Sequence, residues 1–154
     1  MSPAGSRCRG FTLLELVAAI SIAALLLGIS APAVQRLYDS ARYRSAVSDV
    51  VAALNAARYT AIRQGRAQDV LVNPVKGVIT RGEEVRKLPA SVELEVLGSR
   101  QLNRTDTGVI RFYPDGGSSG GFVNVAASNG RLVQVQVDWL LGHVSLCKQD
   151  CREL

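Results

Sequence analysis

The hydrophobic residues of this chain are concentrated near its beginning. Between positions 11 and 29 the sequence is FTLLELVAAISIAALLLGI, in which Glu15 is the single charged residue. A bilayer core about 30 Å thick needs roughly 20 mainly apolar residues in a helix, and no later stretch supplies them. Arg7 and Arg9 precede the run without an acid, which predicts a cytoplasmic N-terminus. Residues 11–34 are therefore predicted to form a single membrane-spanning helix.

A secretory signal peptide is the alternative interpretation of the same stretch. Such a peptide has an apolar core of about 7–15 residues followed by a small-residue cleavage site. The run here is longer, it contains a carboxylate, and the sequence SAPA at positions 30–33 is a weak cleavage site. A retained anchor explains the pattern better.

Glu15 is costly to place at membrane depth. Insertion scales give a free-energy cost of about 2.5–3.5 kcal/mol for a carboxylate there. Two interpretations follow from its position in the apolar run. The side chain either reaches water at the cytoplasmic edge of the bilayer or pairs with a positive charge inside an assembly. A passive anchor has no use for this residue.

Beyond position 34 the pattern becomes that of an amphipathic helix that ends near Gln64. Gly65 is the expected C-terminal cap, and Pro32 is expected to kink the helix because proline removes a backbone hydrogen bond. A helix over residues 11–64 would be about 80 Å long. Its apolar positions recur mostly at three- or four-residue steps: Leu37, Ala41, Val47, Val51, Leu54, Ala57, Ala61 and Ile62.

From Gln68 onward the chain has the pattern of short strands separated by Gly, Pro and Asn, with no later helix. A hairpin is predicted around Arg81 and Gly82. Such strands predict an antiparallel sheet, so the fold class is α+β, with the long N-terminal helix packed on a sheet domain of residues 35–154. The predicted strands are 69–72, 77–80, 84–88, 91–96, 109–113, 122–125, 132–139 and 142–146.

Composition and charge exclude several function classes. The 154 residues suit one domain, and 18 basic against 13 acidic residues give a formal charge of +5. The tail over residues 146–154 has as many acids as bases, which does not favour nucleic-acid binding. His143 is the single histidine, so no metal site is expected, and His143 with Asp138 lacks the sequence context of a hydrolase.

The glycine-rich segment at residues 115–121 superficially resembles a phosphate-binding loop. It lacks the lysine that such a loop requires, and no helix is predicted to begin after it. A turn between two strands is therefore predicted there. Neither a cofactor nor an enzymatic activity is expected.

Residues 10–17, GFTLLELV, resemble the leader junction of type IV pilins and type II secretion pseudopilins. A short basic leader, a glycine, a phenylalanine, an apolar run and a glutamate five residues after the glycine all match. The resemblance implies that a prepilin peptidase cuts between Gly10 and Phe11 and methylates the freed Phe11 amine. Removal of residues 1–10 takes away two arginines, so the formal charge falls from +5 to +3. In a filament, Glu15 would then form a salt bridge to the neighbouring subunit's N-terminus.

Two later segments narrow the resemblance from pilins and pseudopilins in general to one family. Residues 112–121, FYPDGGSSGG, and 137–144, VDWLLGHV, are similar to the general secretion pathway protein H family, relatives of the fimbrial T and U minor pilins. The resemblance implies a type IV pilin-like fold and a minor pseudopilin at the tip of a periplasmic filament that exports folded proteins. The alternative is a minor pilin of a type IV pilus, which primes pilus assembly or aids DNA uptake.

The same resemblance implies a location and a set of partners. The chain would cross the bacterial inner membrane once, with a cytoplasmic N-terminus and a periplasmic C-terminal domain. Its partners would be the major and minor pseudopilins, the inner-membrane secretion platform and the prepilin peptidase/methyltransferase.

Cys147 and Cys151 are the two cysteines that remain after leader removal. In an oxidising compartment such a pair tends to form a disulfide, which requires Cα atoms within about 7 Å. Residues 148–150 would then have to turn back. Two free thiols are the alternative.

Overall fold

The computed structural model describes residues 11–98 and 106–147, and within them all side chains except those at 27–33 and 36. Gly10, the rest of the leader and Cys151 lie outside the described residues. The chain divides into two compact units, Met1–Tyr38 and Asp39–Leu154. The predicted domain boundary at residue 34 therefore remains a prediction.

A single long helix, α1, covers Leu13–Gln64 and runs through position 32 without a break. Alanine and leucine, both strong helix formers, are frequent along it. Gly65 adopts a φ of +63°, and the N–H of Arg66 donates to the Ala61 carbonyl at 3.3 Å. These two features make the C-terminal cap of a Schellman motif, which confirms Gly65 as the cap.

The first turns of α1 carry large apolar side chains that are more than half exposed, among them Leu13, Leu14 and Leu16. Within the part of the chain that the structure describes, no helix combines the length and apolar character needed to cross a membrane.

One face of α1 in the second unit belongs to the buried core. Its members follow three- and four-residue steps, which keeps them on one side of the helix. This face differs in part from the predicted stripe, because Leu37 and Ile62 are exposed and Tyr43 takes a buried place. The buried helix residues are Tyr43, Ala46, Val50, Leu54, Ala57 and Ala61.

In the described residues, eight strands follow α1, and every pairing between them is antiparallel. They form two four-stranded sheets rather than the one sheet that was predicted. Their order is β3-β2-β1-β5 in the first sheet and β4-β6-β7-β8 in the second. The strands are β1 (Gln68–Asn73), β2 (Val78–Arg81), β3 (Glu84–Lys87), β4 (Val92–Gly98), β5 (Gly108–Phe112), β6 (Gly121–Ala127), β7 (Leu132–Val137) and β8 (Val144–Cys147).

The α+β class is confirmed, and so is the hairpin between β2 and β3, where Gly82 has a φ of +58°. The predicted strand over 132–139 is too long, because β7 ends at Val137. Buried residues from α1 and from both sheets form one hydrophobic cluster. The two sheets and the helix thus share a single core within the second unit.

The segment between β5 and β6, residues 113–120, carries the chain from the first sheet to the second. At its start, Phe112 forms an isolated bridge with Ser118, and the Tyr113 N–H donates to the Gly117 carbonyl at 2.9 Å. The glycine-rich segment is therefore the predicted turn between strands, and those strands belong to different sheets.

Candidate functional site

The first turn of α1 is capped by Thr12. Its hydroxyl oxygen accepts the Glu15 N–H at 3.2 Å, and its carbonyl accepts the Leu16 N–H at 3.1 Å. Thr12 is therefore the N-cap, and Phe11 precedes the helix with its side chain exposed. This cap was not predicted from the sequence, although Thr12 and Glu15 have the spacing of a capping box.

Glu15 lies in the first turn of α1, where the helix dipole favours a negative charge. Its carboxylate makes no hydrogen bond or ion pair within the described part of the chain. Phe11 and Glu15 are the two predicted assembly residues that the structure describes. Glu15 lies in the first turn of α1, and Phe11 lies just before that turn.

A second cluster lies near the C-terminal end of α1, where Arg58 holds two loops together. Its Nε donates to the Leu141 carbonyl at 3.1 Å and to the Gly116 carbonyl at 3.4 Å. Gly142 packs so closely against Arg58 and Gly116 that a Cβ at position 142 would collide with the Gly116 carbonyl oxygen. Its φ of +58° also favours glycine.

Ser118 joins the same two loops from the other side. Its hydroxyl donates to the Asp138 carbonyl at 2.8 Å and accepts the Gly120 N–H at 2.9 Å, while its own N–H donates to the Trp139 carbonyl at 2.9 Å. Ser118 is a buried polar residue, and these bonds satisfy it. The serine thus acts as a brace between residues 113–120 and 138–142.

We name residues 138–142 the tryptophan turn. Asp138 closes it, because its carboxylate accepts the Leu141 N–H at 2.7 Å and its N–H donates to the His143 carbonyl at 3.0 Å. Asp138 and His143, whose sequence lacks the context of a hydrolase, are therefore joined by one backbone hydrogen bond that helps to shape this turn. Trp139, Leu140 and Leu141 remain mostly exposed.

A groove lies between α1 and the β2–β3 hairpin, with small side chains on the helix side at Ala52, Ala53 and Ala56. Its rim is a network of opposite charges. Arg86 binds Asp49 at 2.6 Å and Glu84 at 3.1 Å, and Glu84 also pairs with Arg81. In the described residues, no cluster of His, Cys, Asp or Glu has the geometry of a metal site.

The hydrogen bond from Arg81 is the main reason why the pKa of Glu84 lies below its ordinary value, with Arg86 adding to the effect. A carboxylate with a lowered pKa stabilises the fold above its unfolded pKa of about 4.3 and loses that contribution as the pH falls further. We therefore expect Glu84→Gln to flatten the loss of stability between about pH 4.5 and pH 3. The effect is small because the pair is exposed, and urea unfolding at several pH values measures it. An unchanged pH profile would contradict this assignment.

Cys147, at the end of β8, is disulfide-bonded, and its partner lies outside the described residues. The pairing with Cys151 therefore remains a prediction.

Comparisons with known proteins support the resemblance drawn from the leader junction. The family model for the prokaryotic N-terminal methylation motif matches residues 5–31. The type II secretion system protein H of Xanthomonas campestris pv. campestris is 35% identical over 138 residues, which cover 88% of this chain and 81% of that protein. The chain belongs to the type II secretion system protein H family. No solved structure matches this chain.

Membership of the protein H family confirms the family to which the sequence pattern pointed. The matched length includes far more than the N-terminal motif, which pilins and pseudopilins share. The similarity to protein H therefore extends beyond the shared N-terminal motif into the region of the two sheets.

Proposed function

We propose that this chain is a minor pseudopilin of the type II secretion system, a structural subunit of the tip region of the periplasmic pseudopilus. In this role it is needed for the export of folded proteins across the outer membrane. The observation that carries the proposal is the 35% identity to a type II secretion protein H across most of both chains. The proposal assigns no catalytic step and no cofactor to the chain.

The membrane anchor in this proposal is the segment of residues 11–34 in the bacterial inner membrane. It is supported by the apolar run with its basic N-terminal flank, and by the exposure of the large apolar side chains over residues 11–26. The N-terminus is then cytoplasmic, and residues 35–154 form the periplasmic domain. Pro32 is proposed to loosen the helix as it leaves the membrane.

Processing is proposed to occur at the junction of Gly10 and Phe11, by a prepilin peptidase that also methylates the Phe11 amine. The methylation motif at residues 5–31 supports this step. Thr12 favours it physically, because an N-cap at position 12 leaves Phe11 outside the helix. The amine freed by cleavage then lies one residue before the cap.

Assembly is proposed to use Glu15 and the Phe11 amine of a neighbouring subunit. The two groups lie at nearly the same depth along the helix, and a low dielectric strengthens their attraction. The other pseudopilins and the inner-membrane secretion platform are the proposed partners. Disulfide pairing of Cys147 with Cys151 is proposed to fasten the end of β8.

Gene deletion tests the proposed function. We expect an in-frame deletion to abolish exoprotein release, with exoproteins retained in the periplasm, because the filament lacks a tip subunit. Enzyme activity in the culture supernatant and in the periplasmic fraction measures this, and a plasmid copy of the gene should restore release. Loss of twitching or transformation with normal exoprotein release would instead support a minor pilin of a type IV pilus.

A further inference from the structure

The tryptophan turn exposes three consecutive large apolar side chains. Trp139, Leu140 and Leu141 are 68%, 62% and 64% exposed. Exposed apolar residues are ordinary when scattered singly, whereas a contiguous patch marks an interaction site. Ile62 of α1, which is also exposed, extends this patch, because its side chain lies near Gly116 in the adjoining loop.

The turn is held in place by bonds that leave its apolar side chains free. Arg58 binds the Leu141 carbonyl, Ser118 binds the backbone of Asp138 and Trp139, and Asp138 caps the Leu141 N–H. A surface that is ordered before binding loses less conformational entropy on association. The fold therefore presents Trp139, Leu140 and Leu141 in a fixed arrangement.

Residues 62–66, which begin at Ile62 and which we take as the border of this patch on the side of α1, are basic. Between Asp49 and Asp69 the chain has no acidic residue but has Arg58, Arg63 and Arg66. The guanidinium of Arg63 lies 6.0 Å from the centre of the exposed Tyr59 ring, one helical turn away. The border thus offers cations beside aromatic and aliphatic surface.

Two carboxylates of the adjoining loops are already used inside those loops. Asp138 accepts the Leu141 N–H, and Asp115 accepts the Gly117 N–H at 3.0 Å. They reduce the positive charge of the border without removing it. The surface therefore suits an apolar partner surface with carboxylates at its edge.

We propose that the tryptophan turn and the C-terminal end of α1 form the docking surface for a neighbouring pseudopilin that presents apolar side chains flanked by carboxylates. This inference rests on the proposed function and adds the surface and the chemistry of the partner. Tryptophan, tyrosine and arginine are the residues that most often dominate binding energy at protein interfaces. Trp139 and Leu140 are the central contacts, and Arg63 and Arg66 select the acidic partner.

Photo-crosslinking in secreting cells tests the proposal. The full-length chain carries benzoylphenylalanine at Leu140, and a matched chain carries it at Val75, which is 81% exposed in the segment between β1 and β2. We expect an ultraviolet-dependent product with another pseudopilin of the same cell from position 140 and none from position 75. A cross-link from position 140 to lipid or to a second copy of this chain would overturn the proposal. The absence of any cross-linked protein would overturn it as well.

Charge reversal at the border tests the chemistry of the partner. Arg63→Glu and Arg66→Glu together should lower the yield of the position-140 product about tenfold, whereas Arg44→Glu, an exposed control on α1, should leave the yield within about twofold. An unchanged yield with the reversed pair would refute the acidic partner.

The gene deletion distinguishes failure of the proposed function from failure of the docking surface. If gene deletion itself spares secretion, the proposed function fails. If deletion blocks secretion but position 140 yields no pseudopilin product, the docking surface alone fails.

Discussion

Glu15→Ala is expected to give a subunit that is inserted and processed but assembles poorly with the other pseudopilins. Removing one member of a buried ion pair costs about 3–5 kcal/mol, because the other charge remains without compensation. At about 1.4 kcal/mol per tenfold change, association should fall by about 100-fold or more. Co-purification of the other pseudopilins with a tagged chain measures association, and the mass of the mature N-terminus verifies cleavage and methylation.

The matched control is Glu83→Ala, which removes an exposed carboxylate from the turn between β2 and β3. This variant should assemble and secrete like the parent chain. Normal association of the Glu15→Ala subunit would show that Glu15 merely reaches water at the edge of the bilayer. A change in Glu83→Ala equal to that in Glu15→Ala would show that overall charge, rather than the ion pair, is responsible.

Local patterns predicted most of the secondary structure of this chain. The helix end at Gly65 and the β2–β3 hairpin follow from glycines whose positive φ the turn needs. The strands follow from alternation and from the breaks between them. Each of these features depends on residues that are close together in the sequence, so the sequence alone was sufficient to predict them.

The features that the sequence did not reveal depend on distant contacts. Whether β5 and β6 pair with each other or join different sheets is decided by long-range pairing, and alternation carries no information about it. Tyr43 was not among the residues of the predicted helix face. Its ring is buried, and its hydroxyl donates to the Val125 carbonyl at 3.3 Å.

The candidate site was predicted in part. The assembly residues Phe11 and Glu15 came from a local motif. Asp138 and Trp139, the first two residues of the tryptophan turn, were instead assigned to a strand because the alternation of β7 continues through them. The side chain of Asp138 bends the chain there by capping Leu141. Arg58 could not be connected to this turn beforehand, since more than 80 residues separate them.

Phe112→Ala is expected to cause the largest loss of stability in the second unit. Phe112 is fully buried at the end of β5 and, among the described residues, has the largest of the fully buried side chains. Truncation of such a residue costs about 3–5 kcal/mol, because the cavity adds to the lost transfer free energy. Urea unfolding of the full-length chain in detergent should show a lower midpoint with an unchanged slope.

The position of Phe112 gives this prediction a second readout. Its bridge to Ser118 connects the core to the loop that holds the tryptophan turn. In Phe112→Ala, chymotrypsin should therefore cleave near Trp139 faster than in the parent chain. Tyr113→Ala, a change at the adjacent and partly exposed position, should stay within about 1 kcal/mol of the parent. Equal destabilisation by the two substitutions would mean that the core contact of Phe112 does not hold this region together.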